Sequence, residues 1–231
     1  MNRMAIMQPY LFPYIGYFQM IAAVDKFIFY DDVNFIKNGW VNRNRILVNG
    51  QATYITVPLK EASPNRKIYE ISFVDNRLKI GKSIQMAYKK APFFNDVWPI
   101  IEATLQFPTE NISELAIHSV NSICNFLELD TTYEVANSSY SDTTELDRNN
   151  RIKTICKRNE VNTYINAIGG RELYDKASFR EAGISLLFIK TGRCEYRQFN
   201  NDFVPYLSII DVLMFNSKEE VKGLLNEFEL I

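Results

Sequence analysis

The first 30 residues follow a strand–turn–helix–strand pattern, which constrains the fold more than any other feature of the chain. Residues 4–7 are a short apolar stretch typical of a buried strand, residues 16–23 predict a helix, and residues 26–30 predict a second strand. Two strands joined through one helix indicate a parallel βαβ unit. We therefore expect an α/β protein that begins with a Rossmann-like βαβ unit.

The remaining patterns continue the alternation of strands and helices. Asn49-Gly50 separates two apolar stretches and predicts a β-hairpin over residues 45–57. Further strands are predicted over residues 68–74, 162–167 and 184–189, and helices over residues 77–90, 112–127, 144–157, 207–215 and 218–228. The expected architecture is a single domain over residues 1–231, with an inserted hairpin and a helical subdomain over about residues 77–160.

The amino-acid composition limits the kinds of functional site that the chain can form. Aromatic residues make up 13% of the 231 residues, whereas the chain has a single histidine. One histidine excludes a site that needs two histidines from one chain, and we expect neither a metal ion nor a cofactor. The three cysteines are far apart and form neither a disulfide framework nor a Cys-x-x-Cys pair. Because there is no secretion signal and no apolar stretch long enough to span a membrane, a cytoplasmic location is expected.

Charge is distributed unevenly along the chain. Residues 1–100 carry a net charge of +6 and residues 101–231 carry −7. The basic half suits an anionic ligand, although opposite surfaces of one fold can also balance each other. An excess of six charges is too small to indicate nucleic-acid binding. Formation of a homodimer is left open.

A loop rich in aromatic residues and proline follows the first predicted strand. Ligands of open α/β sheets bind at the carboxyl ends of strands, and aromatic faces stack on bases or sugar rings. We therefore expect Gln8, Tyr10, Tyr14 and Tyr17 to bind substrate. The alternative is that the tyrosines pack into the core.

Two adjacent carboxylates, Asp31 and Asp32, follow the second predicted strand. They can act as a general base, orient a sugar hydroxyl or bind a divalent ion, and at most one of them is expected to face the site. We predict that they are the catalytic residues. A solvated turn with a side-chain cap is the alternative.

A basic segment precedes the hairpin. Arg43 and Arg45 share one face of an extended chain, and their guanidinium groups suit phosphate or carboxylate. Together with Lys37 and Asn42 they are predicted to bind substrate, unless the segment is a simple exposed loop. The lysines at positions 79, 82 and 89 are interpreted as a solvated helix face.

A polar cluster near the carboxyl terminus contains Tyr196, Gln198, Ser208 and Asp211, which are also predicted to bind substrate. Ser208 and Asp211 have the spacing of a helix cap with an acidic partner three residues later. A structural role at the start of a helix is therefore the competing interpretation. His118 is interpreted as a surface residue and Cys194 as a structural or incidental one.

These blocks, in this order, resemble the WbqC-like family, which is associated with bacterial O-antigen gene clusters. The resemblance is carried by nine blocks spread over nearly the whole chain: Gln8-Pro9-Tyr10 with Pro13 and Gly16-Tyr17-Phe18; Asp25 with residues 27–32; residues 42–46; Thr56-Val57-Pro58; Tyr88 with Ala91-Pro92 and Phe94; Tyr164 with Gly169-Gly170 and Tyr174; Tyr196 with Gln198; Phe203-Val204-Pro205; and residues 207–211. It adds Tyr88 to the expected substrate-binding residues. One departure is Ile80, at a position where relatives often carry a histidine.

The resemblance implies transfer of an acyl or aminoacyl group, notably glycyl, onto a nucleotide-linked amino sugar in surface-polysaccharide biosynthesis. In that reading the aromatic loop holds the base, Arg43 and Arg45 hold the pyrophosphate, and Asp32 receives a proton from the amine. All of these groups would share one cleft. The acyl donor is not identified. A non-catalytic protein that binds sugar nucleotides is the alternative.

A second alternative comes from the opening segment. Residues 12–17 resemble the start of nucleotidylyltransferases that carry a His-x-Gly-His motif, with Tyr14 and Tyr17 in place of the two histidines. The resemblance supports a Rossmann-like first half. The tyrosines argue against nucleotidyl transfer, because the phosphate-binding imidazoles are missing.

Overall fold

A computed structural model describes residues 2–199 and 202–231, and its centre is a six-stranded sheet. The strands of the protein are β1 (Arg3–Met7), β2 (Lys26–Phe29), β3 (Arg43–Val48), β4 (Gln51–Thr56), β5 (Thr132–Val135), β6 (Thr163–Ala167), β7 (Ser185–Thr191) and β8 (Phe228–Leu230). The order across the central sheet is β5-β2-β1-β6-β7-β8. All neighbouring strands are parallel except the antiparallel pair β7 and β8.

Helices cover both faces of this sheet. They are α1 (Ile15–Ala22), α2 (Arg77–Tyr88), α3 (Phe94–Leu105), α4 (Ile112–Phe126), α5 (Ala136–Ser139), α6 (Arg148–Arg158), α7 (Lys176–Glu181), α8 (Ile209–Phe215) and α9 (Lys218–Leu224). Short 3-10 helices lie at Ile68–Glu70, Ser141–Thr143 and Ile168–Leu173. Among the described residues, no helix is both long and apolar enough to cross a membrane.

The alternation of side chains along the central strands divides the core. Ala5 and Phe27 point to the larger cluster, which α1, α4 and α8 complete, whereas Met4, Ile6 and Ile28 point to the smaller cluster beneath α6 and α7. Strands buried on both faces are continuously apolar, as expected for a parallel sheet. The predicted α/β class with a Rossmann-like βαβ start is confirmed.

The inserted hairpin is a separate two-stranded sheet formed by β3 and β4. Asn49 and Gly50 form its two-residue turn with positive φ angles of 51° and 76°. Two positive φ angles in succession match the twist of a hairpin and favour Asn-Gly at these positions. The hairpin lies against α2 and α8, and Asn44 of β3 contacts the loop that follows β1.

Several sequence predictions fail locally. The strand predicted over residues 68–74 is a 3-10 helix, Ile68–Glu70, followed by isolated bridges, because its apolar side chains enter the core without pairing along a strand. The helix predicted to end at residue 228 ends at Leu224, and Phe228–Leu230 joins β7 as a strand. Strand β5, Thr132–Val135, was not among the predicted strands, and it pairs with β2.

Candidate functional site

The order of the sheet reverses between β1 and β6. From β1 the chain proceeds outward through β2 and β5, and from β6 it proceeds in the opposite direction through β7. Loops diverge at the carboxyl ends of the strands at such a point, which is where open α/β sheets bind ligands. The loop after β1 and the 3-10 helix after β6 both begin there.

A cavity of about 490 Å³ opens at this position, and we call it the switch-point cavity. It is lined by the loop after β1, the start of the hairpin, the ends of β6 and β7, and the segment before α8: Tyr10, Pro13, Tyr14, Trp40, Asn44, Arg45, Ile168, Lys190, Thr191 and Tyr206. Four of these side chains are aromatic and two are cationic. None of the described lining residues is a carboxylate.

The backbone of the aromatic loop is held in a strained conformation at Phe12, whose φ angle is 42°. The Phe12 N–H donates to Ser119 Oγ at 3.1 Å on α4. The Phe12 carbonyl accepts hydrogen bonds from Asn44 Nδ2 at 2.8 Å and from Ser208 Oγ at 2.7 Å. Such a conformation persists only where the surroundings fix it, and strained residues cluster at functional sites.

Gly16 allows α1 to approach the end of β7. A Cβ atom at this position would lie 2.4 Å from Oγ1 of Thr191 and 2.5 Å from the ring of Tyr14. Real Cβ contacts are never so short, so the position of the Tyr14 ring depends on glycine here. Tyr14 is 37% exposed and forms part of the cavity wall.

Arg45 brings a positive charge into the cavity wall. Its Nη2 donates to the carbonyl of Tyr206 at 3.0 Å, and its guanidinium carbon lies 5.7 Å from the ring centre of Trp40. Its Nε is buried and has no protein partner among the described residues. A guanidinium group that is held on one side can still donate hydrogen bonds from its terminal nitrogens to an anionic ligand.

Lys190 supplies the second cation of the cavity. It lies 3.5 Å from the carboxylate of Glu229, and both side chains are exposed. Exposed ion pairs of this kind contribute little to stability, so a bound anion can compete for Lys190.

Tyr206 and Tyr10 complete the aromatic part of the wall. Tyr206 is 72% exposed and has a positive φ angle of 58°. Burial, followed by the proximity of Tyr14, raises the pKa of Tyr10. Its hydroxyl therefore stays protonated at neutral pH and can donate a hydrogen bond.

The predicted residues of the aromatic loop separate into two groups. Tyr10 and Tyr14 line the cavity, whereas Tyr17 is 2% exposed and its hydroxyl donates to the carbonyl of Gln8 at 2.9 Å. Tyr17 therefore positions the loop from within the core. The side chain of Gln8 is half-buried and does not line the cavity.

Asp31 lies in a buried hydrogen-bond cluster rather than in the cavity. It is 1% exposed and accepts hydrogen bonds from Ser113 Oγ at 3.1 Å, the Asn137 N–H at 3.1 Å and Asn137 Nδ2. Burial raises the pKa of Asp31, and the hydrogen bonds from Asn137 and Ser113 oppose that rise. The carboxylate joins β2 to α4 and α5.

Asp32 forms a buried ion pair with Arg151 of α6. The two side chains are only 3% and 5% exposed, and Oδ1 of Asp32 is buried without a hydrogen-bond partner in the described chain. Arg151 also donates to the hydroxyl of Tyr30 at 3.0 Å. The expectation that Asp31, Asp32 and the aromatic loop share one cleft is therefore not met: neither carboxylate lines the cavity, because both turn into the interior.

Of the residues predicted to bind substrate in the basic segment before the hairpin, only some line the cavity. Arg45 lines the cavity, but Arg43 donates to the carbonyls of Asn38 and Gly39 and lies 4.8 Å from the ring centre of Tyr54. The side chain of Asn42 donates to the carbonyl of Val57 at 2.7 Å and closes the base of the hairpin. Lys37 is exposed in the loop before the hairpin and is not part of the cavity.

The carboxyl-terminal cluster is a buried network around Asp211, which is 0% exposed. Its Oδ2 accepts from Tyr88, and its Oδ1 accepts from Tyr196 at 2.7 Å and Gln198 Nε2 at 2.6 Å. Ser208 is the N-cap of α8 and accepts from the Ile210 N–H. The carboxylate of Asp211 faces Tyr88 and not the start of α8, so it does not form the predicted cap with Ser208. Because Asp211 is fully buried, a ligand cannot reach its carboxylate.

Sequence reasoning did not select Trp40, Ile168, Lys190, Thr191 or Tyr206 as site residues. Lys190 and Thr191 lie at the end of β7, and Ile168 directly follows β6, so their positions at strand ends could have marked them as candidates. The sequence alone does not show that these strand ends lie near β1, because that depends on the order of strands in the sheet. Arg151, the partner of Asp32, lies 119 positions away in the sequence.

The family model described as the WbqC-like protein family matches residues 8–223. This chain belongs to the WbqC-like family. The match includes every residue that lines the switch-point cavity.

One relative aligns with nearly the whole of this chain. The uncharacterized protein Rv1507c of Mycobacterium tuberculosis (strain ATCC 25618 / H37Rv) is 31% identical over 237 aligned positions, which cover 97% of this chain and 98% of the relative. No solved structure matches the chain significantly.

Proposed function

We propose that this WbqC-like protein binds a nucleotide-linked amino sugar in the switch-point cavity and transfers an acyl or aminoacyl group, such as glycyl, to its amine during surface-polysaccharide biosynthesis. One observation supports this function above all. The cavity combines four aromatic side chains with Arg45 and Lys190, at the point of the sheet where ligands bind.

The cavity suits such a ligand in size and in chemistry. Its volume of about 490 Å³ lies within the usual range of pockets for small molecules. Aromatic rings can stack on a base or a sugar ring, and a guanidinium group can hold a pyrophosphate with two parallel hydrogen bonds. The absence of carboxylates from the described wall favours an anionic ligand.

The proposed reaction is aminolysis of an activated acyl group. The amine nitrogen forms a bond to the acyl carbon, the bond to the leaving group breaks with its electron pair, and the amine releases one proton. The leaving group can take up that proton. Because Asp31 and Asp32 are buried in other interactions, the contribution of the chain in this proposal is to bind and position the amine.

Binding can be tested by thermal shift and calorimetry with a uridine-diphosphate-linked amino sugar, uridine diphosphate and free amino sugar. A ligand at about 100 times its dissociation constant should stabilise the protein by about 2.7 kcal/mol. Absence of any shift with nucleotide-linked amino sugars of several bases would contradict the proposal.

Matched variants locate the site. Arg45→Ala should weaken binding by about tenfold to a hundredfold, because a hydrogen bond to a charged group contributes about 1.5–3 kcal/mol. The control is Arg180→Ala, since Arg180 is exposed on α7 near the amino-terminal ends of β6 and β7. For Tyr14→Ala the control is Tyr69→Ala, because Tyr69 has a similar exposure of 40%.

A second candidate is a sugar-nucleotide-binding protein without turnover. The cavity wall supports it, because it lacks a carboxylate that could act as a base. Mass spectrometry of the sugar after incubation with thioester and acyl-phosphate donors separates the two: a mass gain of one acyl group supports the transferase, and saturable binding without that gain supports the binding protein. Nucleotidyl transfer is disfavoured, because Tyr17 is buried and cannot contact a phosphate.

A further inference from the structure

Within residues 2–199 and 202–231, no strand pairs with the outer edge of strand β4. In this part of the chain β4 pairs only with β3, and the register joins Val48 to Gln51 across the two-residue turn. In a hairpin of this type hydrogen-bonded pairs alternate along the ladder, so the backbone groups of Ala52 and Tyr54 point away from β3. In the described part of the chain these groups have no other hydrogen-bond partner.

This edge also lacks the usual protection. Edge strands in natural proteins are blunted by charged side chains, prolines or bulges, because an open edge pairs with other chains. Strand β4 reads Gln-Ala-Thr-Tyr-Ile-Thr and contains no charged residue, proline or glycine. Its first four residues are exposed. The edge is therefore prepared to accept another strand.

A basic groove lies beside this edge. A space of about 890 Å³ separates the hairpin from α2, and Lys79, Lys89 and Lys90 line it together with Met86, which is 75% exposed. None of the described residues that line the groove is acidic, and residues 77–90 contain no Asp or Glu. No carboxylate of the described chain lies within 4.0 Å of these three lysines.

The edge and the groove are parts of one surface. Thr53 and Ile55 of β4 line the groove together with Ile46 of β3. A strand added to β4 would continue the hairpin sheet, and every second side chain would point to one face of it. Carboxylates on that face would meet these lysines, which pair with no carboxylate in the described residues.

We infer that the edge of β4 and the groove beside α2 bind an extended acidic segment of a partner protein, which adds to the hairpin as a further strand. Main-chain hydrogen bonds to Ala52 and Tyr54 would supply affinity, and charge complementarity with Lys79, Lys89 and Lys90 would supply selectivity. A second copy of this chain fits less well. Twofold pairing of two β4 strands would place both α2 helices, with their lysines, on the same side of the joined sheet.

The experiment uses synthetic eight-residue peptides of alternating glutamate and valine, measured by fluorescence polarisation against the full chain. A peptide with lysine in place of glutamate tests charge, and a peptide with methylated backbone nitrogens at alternate positions tests strand pairing. We expect the acidic peptide to bind at least tenfold more tightly than either control and to weaken as salt increases. Equal binding of the three peptides, or no binding of the acidic one, would overturn the inference.

Variants and hydrogen exchange locate the binding. The double variant Lys79→Glu with Lys90→Glu should bind the lysine peptide more tightly than the acidic peptide. The control is Lys157→Glu, which reverses one charge at the exposed end of α6 and should leave the preference for the acidic peptide unchanged. The bound acidic peptide should slow amide exchange at Ala52 and Tyr54. Unchanged preference in the double variant, or protection confined to another region, contradicts the inference. A dimer that Ala52→Pro abolishes would assign the edge to a second copy instead.

Discussion

The hydroxyl group of Tyr88 donates a hydrogen bond to Oδ2 of Asp211 across 2.8 Å and accepts one from the Leu47 N–H at the same distance. One oxygen atom thus joins α2, α8 and β3 inside the core. The other oxygen of Asp211 holds Tyr196 and Gln198, in the chain segment that leads to Tyr206 and the cavity wall. The hairpin and one wall of the cavity therefore depend on the same buried carboxylate.

Replacement of Tyr88 by phenylalanine should destabilise the protein by about 1–3 kcal/mol, because the buried Leu47 N–H loses its partner and Asp211 loses a donor. The free energy of unfolding in urea measures this change. Tyr69→Phe is the control, since Tyr69 is exposed and its side chain makes no hydrogen bond among the described residues. Equal stability of Tyr88→Phe and the wild type would mean that the network contributes nothing.

Stability should depend on pH through Asp211. Burial raises the pKa of Asp211, and the hydrogen bonds from Tyr196, Tyr88 and Gln198 only partly oppose that rise. Because the folded state holds the proton more tightly than the unfolded state, the contribution of Asp211 is largest below the unfolded pKa of about 3.9 and is lost as the pH rises through the folded pKa.

Unfolding free energies of the wild type and of Asp211→Asn, measured from pH 3.5 upward, should therefore differ in slope. The wild type should lose stability relative to the variant as the pH rises, and the difference should become constant once Asp211 is ionised in both states. A difference that moves in the opposite direction would show that hydrogen bonding to the carboxylate outweighs its burial.

The ion pair of Asp32 and Arg151 should behave as a structural element. Asp32→Ala should cost about 3–5 kcal/mol, because it leaves the buried guanidinium group uncompensated, and the double variant Asp32→Leu with Arg151→Met should recover much of that loss. In the folded double variant, the affinity for a nucleotide-linked amino sugar should match that of the wild type, because neither residue lines the cavity. If the double variant bound the ligand with normal affinity but no longer transferred an acyl group, the result would support the predicted catalytic role of Asp32.

Gly16→Ala should weaken ligand binding at least tenfold, because the new methyl group displaces Tyr14 or Thr191 from the cavity wall. The control is Gly223→Ala in α9, where the added Cβ meets no described atom within 4 Å apart from its chain neighbours and the backbone of its own helix. Alanine is a better helix former than glycine, so this control should be as stable as the wild type or more stable by up to about 1 kcal/mol. Calorimetric titration with the nucleotide-linked amino sugar measures the affinity of both variants. Equal affinities of Gly16→Ala and the wild type would show that the position of the Tyr14 ring does not affect binding.

Local patterns predicted much of the fold. Asn49-Gly50 specified the hairpin through its two positive φ angles, and the alternation of short apolar stretches specified the βαβ start. Helix α3 was not predicted, because Pro99 lies within it and Pro92 lies shortly before it. Strand β5 has four residues and lies at the edge of the sheet, where burial imposes little pattern on the sequence.

The lining of the switch-point cavity was predicted only for residues that follow β1 or lie in the hairpin. Tyr10, Tyr14 and Arg45 were selected from local chemistry and line the cavity. Asp31 and Asp32 were selected by the same reasoning, yet Ser113, Asn137 and Arg151, which lie far away in the sequence, determine their environment. Residue type and position after a strand do not reveal which carboxylates will find buried partners.

The class of fold, the hairpin turn and the aromatic loop with cations nearby followed from local sequence, because these depend on the periodicity and the backbone preferences of neighbouring residues. Which of these groups face a common cavity depends on how distant segments of the chain pack together. The reversal of strand order between β1 and β6 brings Lys190 and Ile168 to the loop of Tyr10, and long-range hydrogen bonds turn Asp31, Asp32 and Asp211 inward. A carboxylate whose buried partner lies far along the chain becomes a structural group only when the fold brings the two together.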